Sequence, residues 1–104
     1  MKLWIDDVRP APEGYWWCKS VNEAKRYITW FENFYTNPNN DVIEVLDIDH
    51  DAGDYAEDGG DYIKLLDWFE ETGRNYLIRI HSMNPVGAAN MRAIIERNGW
   101  KEVR

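Results

Sequence analysis

The chain is short of cysteine and histidine, with one and two residues among 104, and its 12 Lys and Arg are outnumbered by 19 Asp and Glu. Each shortage excludes something. Cys18 alone cannot form an intramolecular disulfide, which points to a reducing and hence cytoplasmic setting. A net charge of −7 argues against an extended nucleic-acid surface, because such binding depends on Lys and Arg neutralising phosphates. No apolar run approaches the ~20 residues of a membrane span. The start, Met1 to Ile5, turns acidic at Asp6 and reads as neither a signal nor a transit peptide.

What is present fits one domain over residues 1–104. Hydrophobic residues at 44% and charged residues at 30% give an ordinary globular balance rather than a disordered one. Six Trp and six Tyr are many for this length, and their large buried areas compensate for a small core.

Lys2 to Ile5 reads as a short strand that stops at Asp6-Asp7, and Val8 to Gly14, with two prolines, reads as a loop. Tyr15 to Cys18 is a second strand, in which alternation sends Trp16 and Trp17 to opposite faces. Ser20-Val21-Asn22-Glu23 matches a capping box, with Glu23 expected to reach back to the cap N–H. Val21, Ala24, Ile28, Phe31 and Tyr35 then follow helical spacing up to Asn37-Pro38-Asn39-Asn40. Val42 to Ile48 is a strand interrupted by Glu44 and Asp47, and Asp49 to Gly60 is an acidic loop. A helix from Tyr62 stops at Gly73, a strand covers Tyr76 to Ile80, and Asn84-Pro85 opens a third helix that ends at Gly99. Trp100 to Val103 reads as a last short strand. Such alternation predicts a parallel sheet with helices packed on it. The link between the first two strands is too short for a usual parallel crossover. It must cross without a proper helix, or the second strand is not parallel.

Ligands of open α/β sheets lie outside the carboxyl ends of the strands. Three strands end there in polar clusters: Asp6-Asp7 with Arg9, then Asp49-His50-Asp51, then His81-Ser82 with Asn84. Both histidines fall at such ends. His50 and His81 are therefore expected to share one site with Asp6, Asp7, Asp49 and Asp51, acting as general base and general acid around a phosphorus. Continued alternation turns Asp49 and Asp51 to one face and His50 to the other, which makes His81 the surer catalytic imidazole. The acids are candidate ligands for Mg²⁺ or Mn²⁺, and no organic cofactor is expected. Asp47, Asp49 and Asp51 match the first EF-hand positions, but Ala52 and Asp58 break that pattern. Arg9, Ser82, Asn84 and Gly87 are candidate phosphate ligands, the last two at a helix start whose N–H groups serve capping or an anion.

At these residues the chain resembles the cyclic-phosphate processing receiver domains. The motifs are Leu3-Trp4-Ile5-Asp6-Asp7-Val8-Arg9-Pro10, Ile48-Asp49-His50-Asp51-Ala52-Gly53 and Ile80-His81-Ser82-Met83-Asn84-Pro85-Val86-Gly87, with Gly60 and Met91 in support. Ile48 and Ala52 stand where the family usually has Leu. The resemblance implies a three-layer, receiver-like (flavodoxin-like) α/β sheet of 4–5 parallel strands in order 2-1-3-4(-5), with reduced helices. It also implies that Asp6, Asp7 and Asp49 stand where a receiver holds Mg²⁺ and its phosphoacceptor, with Ser82 near the Ser/Thr switch position.

Three functions follow from these residues. The first is a phosphoesterase acting on a cyclic phosphate of a nucleotide or an RNA end, with His50, His81, Asp49 and Ser82 as catalytic residues. The second is a module that binds a cyclic nucleotide without hydrolysing it. The third is a receiver phosphorylated on Asp49, which leaves the histidines without a role and has only Lys101 in place of the receiver Lys-Pro.

Overall fold

The computed structural model describes residues 1–34 and 43–104. Tyr35, the turn expected at Asn37 to Asn40, and Val42 lie outside the described residues. Five strands, β1 (Lys2–Ile5), β2 (Tyr15–Cys18), β3 (Val45–Ile48), β4 (Ile78–Ile80) and β5 (Glu102–Val103), form one sheet in the order β2-β1-β3-β4-β5. All four pairings are parallel. Helices α1 (Val21–Phe34), α2 (Ile63–Thr72) and α3 (Pro85–Asn98) connect them, and a 3₁₀ turn (Gly53–Glu57) lies within the acidic loop.

The connections explain where the helices sit. α1, α2 and α3 each carry the chain in the same direction along the sheet, and right-handed crossovers that step the same way share a face. α1 packs on α2, and α2 on α3. One apolar cluster joins all three to the sheet, through Leu3, Ile5, Leu46, Ile48 and Ile78 from the strands. The step from β1 to β2 runs the other way and spans residues 6–14 without a helix. β2 is nevertheless parallel to β1. Two layers therefore replace the expected three among the described residues, because the one crossover that would clothe the second face is too short to coil.

Aromatic side chains stand on that second face instead. Trp4 and Tyr15 meet edge to face at 5.9 Å, and the link folds over them. Trp4 Nε1 donates to Arg9 O at 2.9 Å, and Trp17 Nε1 donates to Asp6 O at 2.8 Å. Trp16 goes to the helix side, where it meets Tyr27 and Phe31 of α1.

Local chemistry sets the helix ends. Asn84 Oδ1 accepts from Gly87 N at 3.0 Å with Pro85 in the first turn, and Gly73 and Gly99 close α2 and α3. The capping box differs in one detail. Ser20 Oγ accepts from Glu23 N at 3.0 Å as expected, but Glu23 Oε1 takes the N–H of Lys19 rather than that of Ser20. Ser20 also donates to Asp58 Oδ2 at 2.6 Å, and Asn22 Nδ2 reaches Asp58 Oδ1 at 3.1 Å. α1 is thereby tied to the loop that follows β3.

Ser20→Ala removes the cap and strands part of the Asp58 network. It is expected to lower the unfolding free energy by about 1–2 kcal/mol. Urea denaturation against the parent chain measures this directly.

Candidate functional site

Side chains two apart on a strand share a face, and this rule assembles the site. Trp4 and Asp6 leave β1, Asp47 and Asp49 leave β3, and Arg79 and His81 leave β4, all toward the helix-free face. Trp4 is in register with Asp47, and Asp47 with Arg79. Backbone bonds carry the ladder one step past the strand ends: Asp6 N to Cys18 O, Asp49 N to Ile5 O and His81 N to Ile48 O. Asp6, Asp49 and His81 therefore converge, with one donor atom from each lying within 4.8 Å of the others.

His81 is held on three sides. Its Nδ1 lies 2.6 Å from Asp47 Oδ1, and its Nε2 lies 2.9 Å from Asp6 Oδ2. Its ring stacks on Trp4 at 3.9 Å with the planes 5° apart. Ionised carboxylates only accept hydrogen bonds, so with both acids ionised each ring nitrogen carries a hydrogen. Asp6 is fully buried and Asp47 is 1% exposed, so each needs such a partner.

The acids differ electrostatically. Burial opposes ionisation of Asp6, but the amides of Arg9 and Val8, together with the hydrogen bond and charge of His81, hold its carboxyl below the usual range. Asp7 is pushed the other way by burial and by the carboxylates of Asp6 and Asp49. Its carboxylate packs against Gly53, a residue at φ +55° where a β-carbon would overlap it. That contact, beside the positive φ, explains the glycine.

The second histidine belongs to an adjoining group. Asp49 Oδ1 accepts from His50 N at 2.8 Å, which joins the two groups. His50 Nδ1 lies 2.9 Å from Asp51 Oδ1, and Asn84 Nδ2 reaches Asp51 Oδ2 at 3.4 Å. The imidazole rests on Gly87, where any β-carbon would overlap the ring. No partner of His50 Nε2 is found among the described residues. The structure thus gathers Asp6, Asp7, Asp49 and His81 in one group and His50, Asp51, Asn84 and Gly87 in the next.

The remaining candidates line the same edge. Arg9 Nη1 donates to His81 O at 3.1 Å. Ser82 Oγ accepts from Asn84 N at 3.0 Å, which leaves its own hydrogen free to donate. The Gly87 N–H is already bound to Asn84 Oδ1. Burial, with the charge of Glu23, pushes the Cys18 thiol up to about 12, so it supplies no thiolate near neutral pH.

Sequence reasoning did not assign Asp47 or Trp4 to the site. Asp47 reads as an interruption of an apolar strand, and Trp4 as ordinary core. The signal that finds them is the i, i+2 pairing of Trp4 with Asp6 and Asp47 with Asp49.

A five-stranded parallel sheet of order 2-1-3-4-5, with carboxylates converging at its carboxyl edge, defines a receiver-type α/β domain. The family model for the cyclic-phosphate processing receiver domain matches residues 1–97, and the chain belongs to that family. No match is found among curated proteins or among solved structures. No helix of the described residues is long and apolar enough to cross a membrane.

The opposite shifts of Asp6 and Asp7 predict opposite effects on stability. Asp7 has a folded pKa above the ordinary 3.8, so its ionisation costs stability once the pH rises through that range. Asp7→Asn should therefore raise the melting temperature of the metal-free chain at pH 7, with the gain gone below about pH 3.8. Asp6 stabilises above 3.8, and its contribution is lost as the pH falls through its lower folded value. Thermal melts in chelator across pH 3 to 7 measure both signs.

Proposed function

We propose that this domain is a phosphoesterase that opens a cyclic phosphate carried by a nucleotide or an RNA end. The observation that carries this reading is the pairing of two groups at one edge: the Asp6–Asp49–His81 cluster and, joined to it through Asp49, an imidazole whose Nε2 has no partner among the described residues. Family membership supplies the substrate class.

The carboxylates fit a divalent cation. Asp6 and Asp49 converge with His81, and Asp7, raised first by burial and then by the carboxylates of Asp6 and Asp49, stands beside them. Asp6, Asp7 and Asp49 would hold Mg²⁺ or Mn²⁺, which when bound supplies positive charge to a phosphoryl oxygen. Asp51, given to the same set by sequence, is engaged with His50 instead.

His50 is the better placed proton carrier. Asp51 fixes Nδ1, and Nε2 takes the proton of an attacking water. An O–P bond forms, the ring P–O bond breaks, and the same proton returns to the leaving oxygen, giving a phosphomonoester. Arg9 and the Ser82 hydroxyl bind the phosphoryl oxygens. Asn84 keeps Asp51 in place. Exposed Val8, Met83 and Val86 leave the same edge and offer apolar contact to a nucleobase. The buried lone thiol agrees with a cytoplasmic location.

A panel of 2′,3′- and 3′,5′-cyclic nucleotides and cyclic-phosphate RNA ends, assayed with Mg²⁺ or Mn²⁺, tests the reading. Phosphomonoester product is expected, with kcat lowered by about 10²–10⁴ in His50→Gln. Binding throughout the panel without product overturns the enzyme and assigns a sensing module. A small phosphodonor should leave Asp49 unlabelled.

A further inference from the structure

We propose that His81 is a nitrogen ligand of the metal centre, backed by Asp47, and that this pair makes the site prefer Mn²⁺ or Zn²⁺ over Mg²⁺. The inference rests on the reading of Asp6 and Asp49 as cation ligands and adds two residues to it.

The geometry is that of a cation site with its ligands drawn together. His81 Nε2 and Asp6 Oδ2 are 2.9 Å apart, and an Asp49 oxygen lies within 4.8 Å of both. With bonds of about 2.1 Å, neighbouring corners of an octahedron are about 3 Å apart and opposite corners about 4.2 Å. The 2.9 Å pair sits at the separation of neighbouring corners, and Asp49 lies within 4.8 Å of both. The cluster is more than a group of surface acids: Asp6 is fully buried and the His81 side chain is 11% exposed.

Asp47 gives the arrangement its meaning. Metal-binding histidines commonly donate their other ring N–H to a carboxylate, which fixes the tautomer and raises ligand basicity. Asp47 does this at 2.6 Å from Nδ1, from inside a strand, with 1% of its side chain exposed. A hydrogen held on Nδ1 directs the lone pair to Nε2, the nitrogen that faces Asp6 and Asp49. A cation held there would take the place of the hydrogen between Nε2 and Asp6. Trp4 stacks on the ring and keeps it from turning away. Imidazole suits first-row transition metals and Zn²⁺, whereas Mg²⁺ takes oxygen ligands.

The test uses the untagged, metal-stripped full chain without substrate. Mn²⁺ binding is followed by electron paramagnetic resonance, with Mg²⁺ and Zn²⁺ as competitors, and pulsed experiments report a directly bound ¹⁴N. Expected results are ¹⁴N coupling and Mg²⁺ binding at least about tenfold weaker than Mn²⁺. His81→Gln should abolish the coupling and weaken Mn²⁺ about 10–100-fold. Asp47→Asn should weaken Mn²⁺ about tenfold while keeping the coupling. The chain has two histidines, so coupling that persists in His50→Gln comes from His81 even where His81→Gln does not fold. Absence of ¹⁴N coupling, or Mg²⁺ bound as tightly as Mn²⁺, overturns the proposal. Turnover of a cyclic phosphate with Mg²⁺ and no nitrogen coupling would leave the phosphoesterase reading standing, and coupling without turnover would do the reverse.

Discussion

The Asp6–His81–Asp47 bridge is the interaction on which the edge of this sheet depends. Two acids are buried almost completely at the junction of three strands, and one imidazole bridges them, with the Val8 and Arg9 amides on the other oxygen of Asp6 and Arg79 Nη1 3.5 Å from Asp47 Oδ2. Removing one partner of a buried ionic group typically costs about 3–5 kcal/mol, because the other is left uncompensated. The bridge also fixes register. It requires the end of β1, the middle of β3 and the end of β4 to lie side by side, which the parallel ladder provides. Among the described residues no buried side-chain polar atom lacks a partner, so this polar edge is satisfied in full.

The missing crossover helix has a functional consequence. A helix between β1 and β2 would pack over Trp4 and Trp17, where the link at residues 6–14 now folds back. The link turns sharply because the Val8 and Arg9 amides cap the Asp6 carboxylate. That turn brings the exposed Arg9 to the backbone of His81. Core economy and site construction are therefore the same event: a small chain omits one helix, and the uncovered face receives the polar machinery.

Much of this was legible along the chain. The five strands, three helices and their caps follow from Ser20, Gly73, Asn84-Pro85 and Gly99, each of which acts through near neighbours in sequence. β3 and β4 are shorter than the apolar runs suggest: Tyr76 turns away to bond Glu32 and pack on Phe69. The polar strand ends were equally plain, since an acid or imidazole beside an apolar strand must sit at its edge. The grouping of the two histidines was less so. Both lie at carboxyl ends, yet Asp51 and Gly87 hold one while Asp6, Asp47 and Trp4 hold the other.

The sequence by itself determined the strand and helix pattern, the capping residues and the set of acids and imidazoles available to the site, because these depend on alternation and on contacts a few residues apart. The tertiary structure alone decided that all three helices share a face, that Asp47 serves His81, and that His50 Nε2 has no partner among the described residues. Those outcomes depend on strand order and register, which bring together residues more than thirty positions apart; local spacing can place Asp47 on the site face but cannot name its partner.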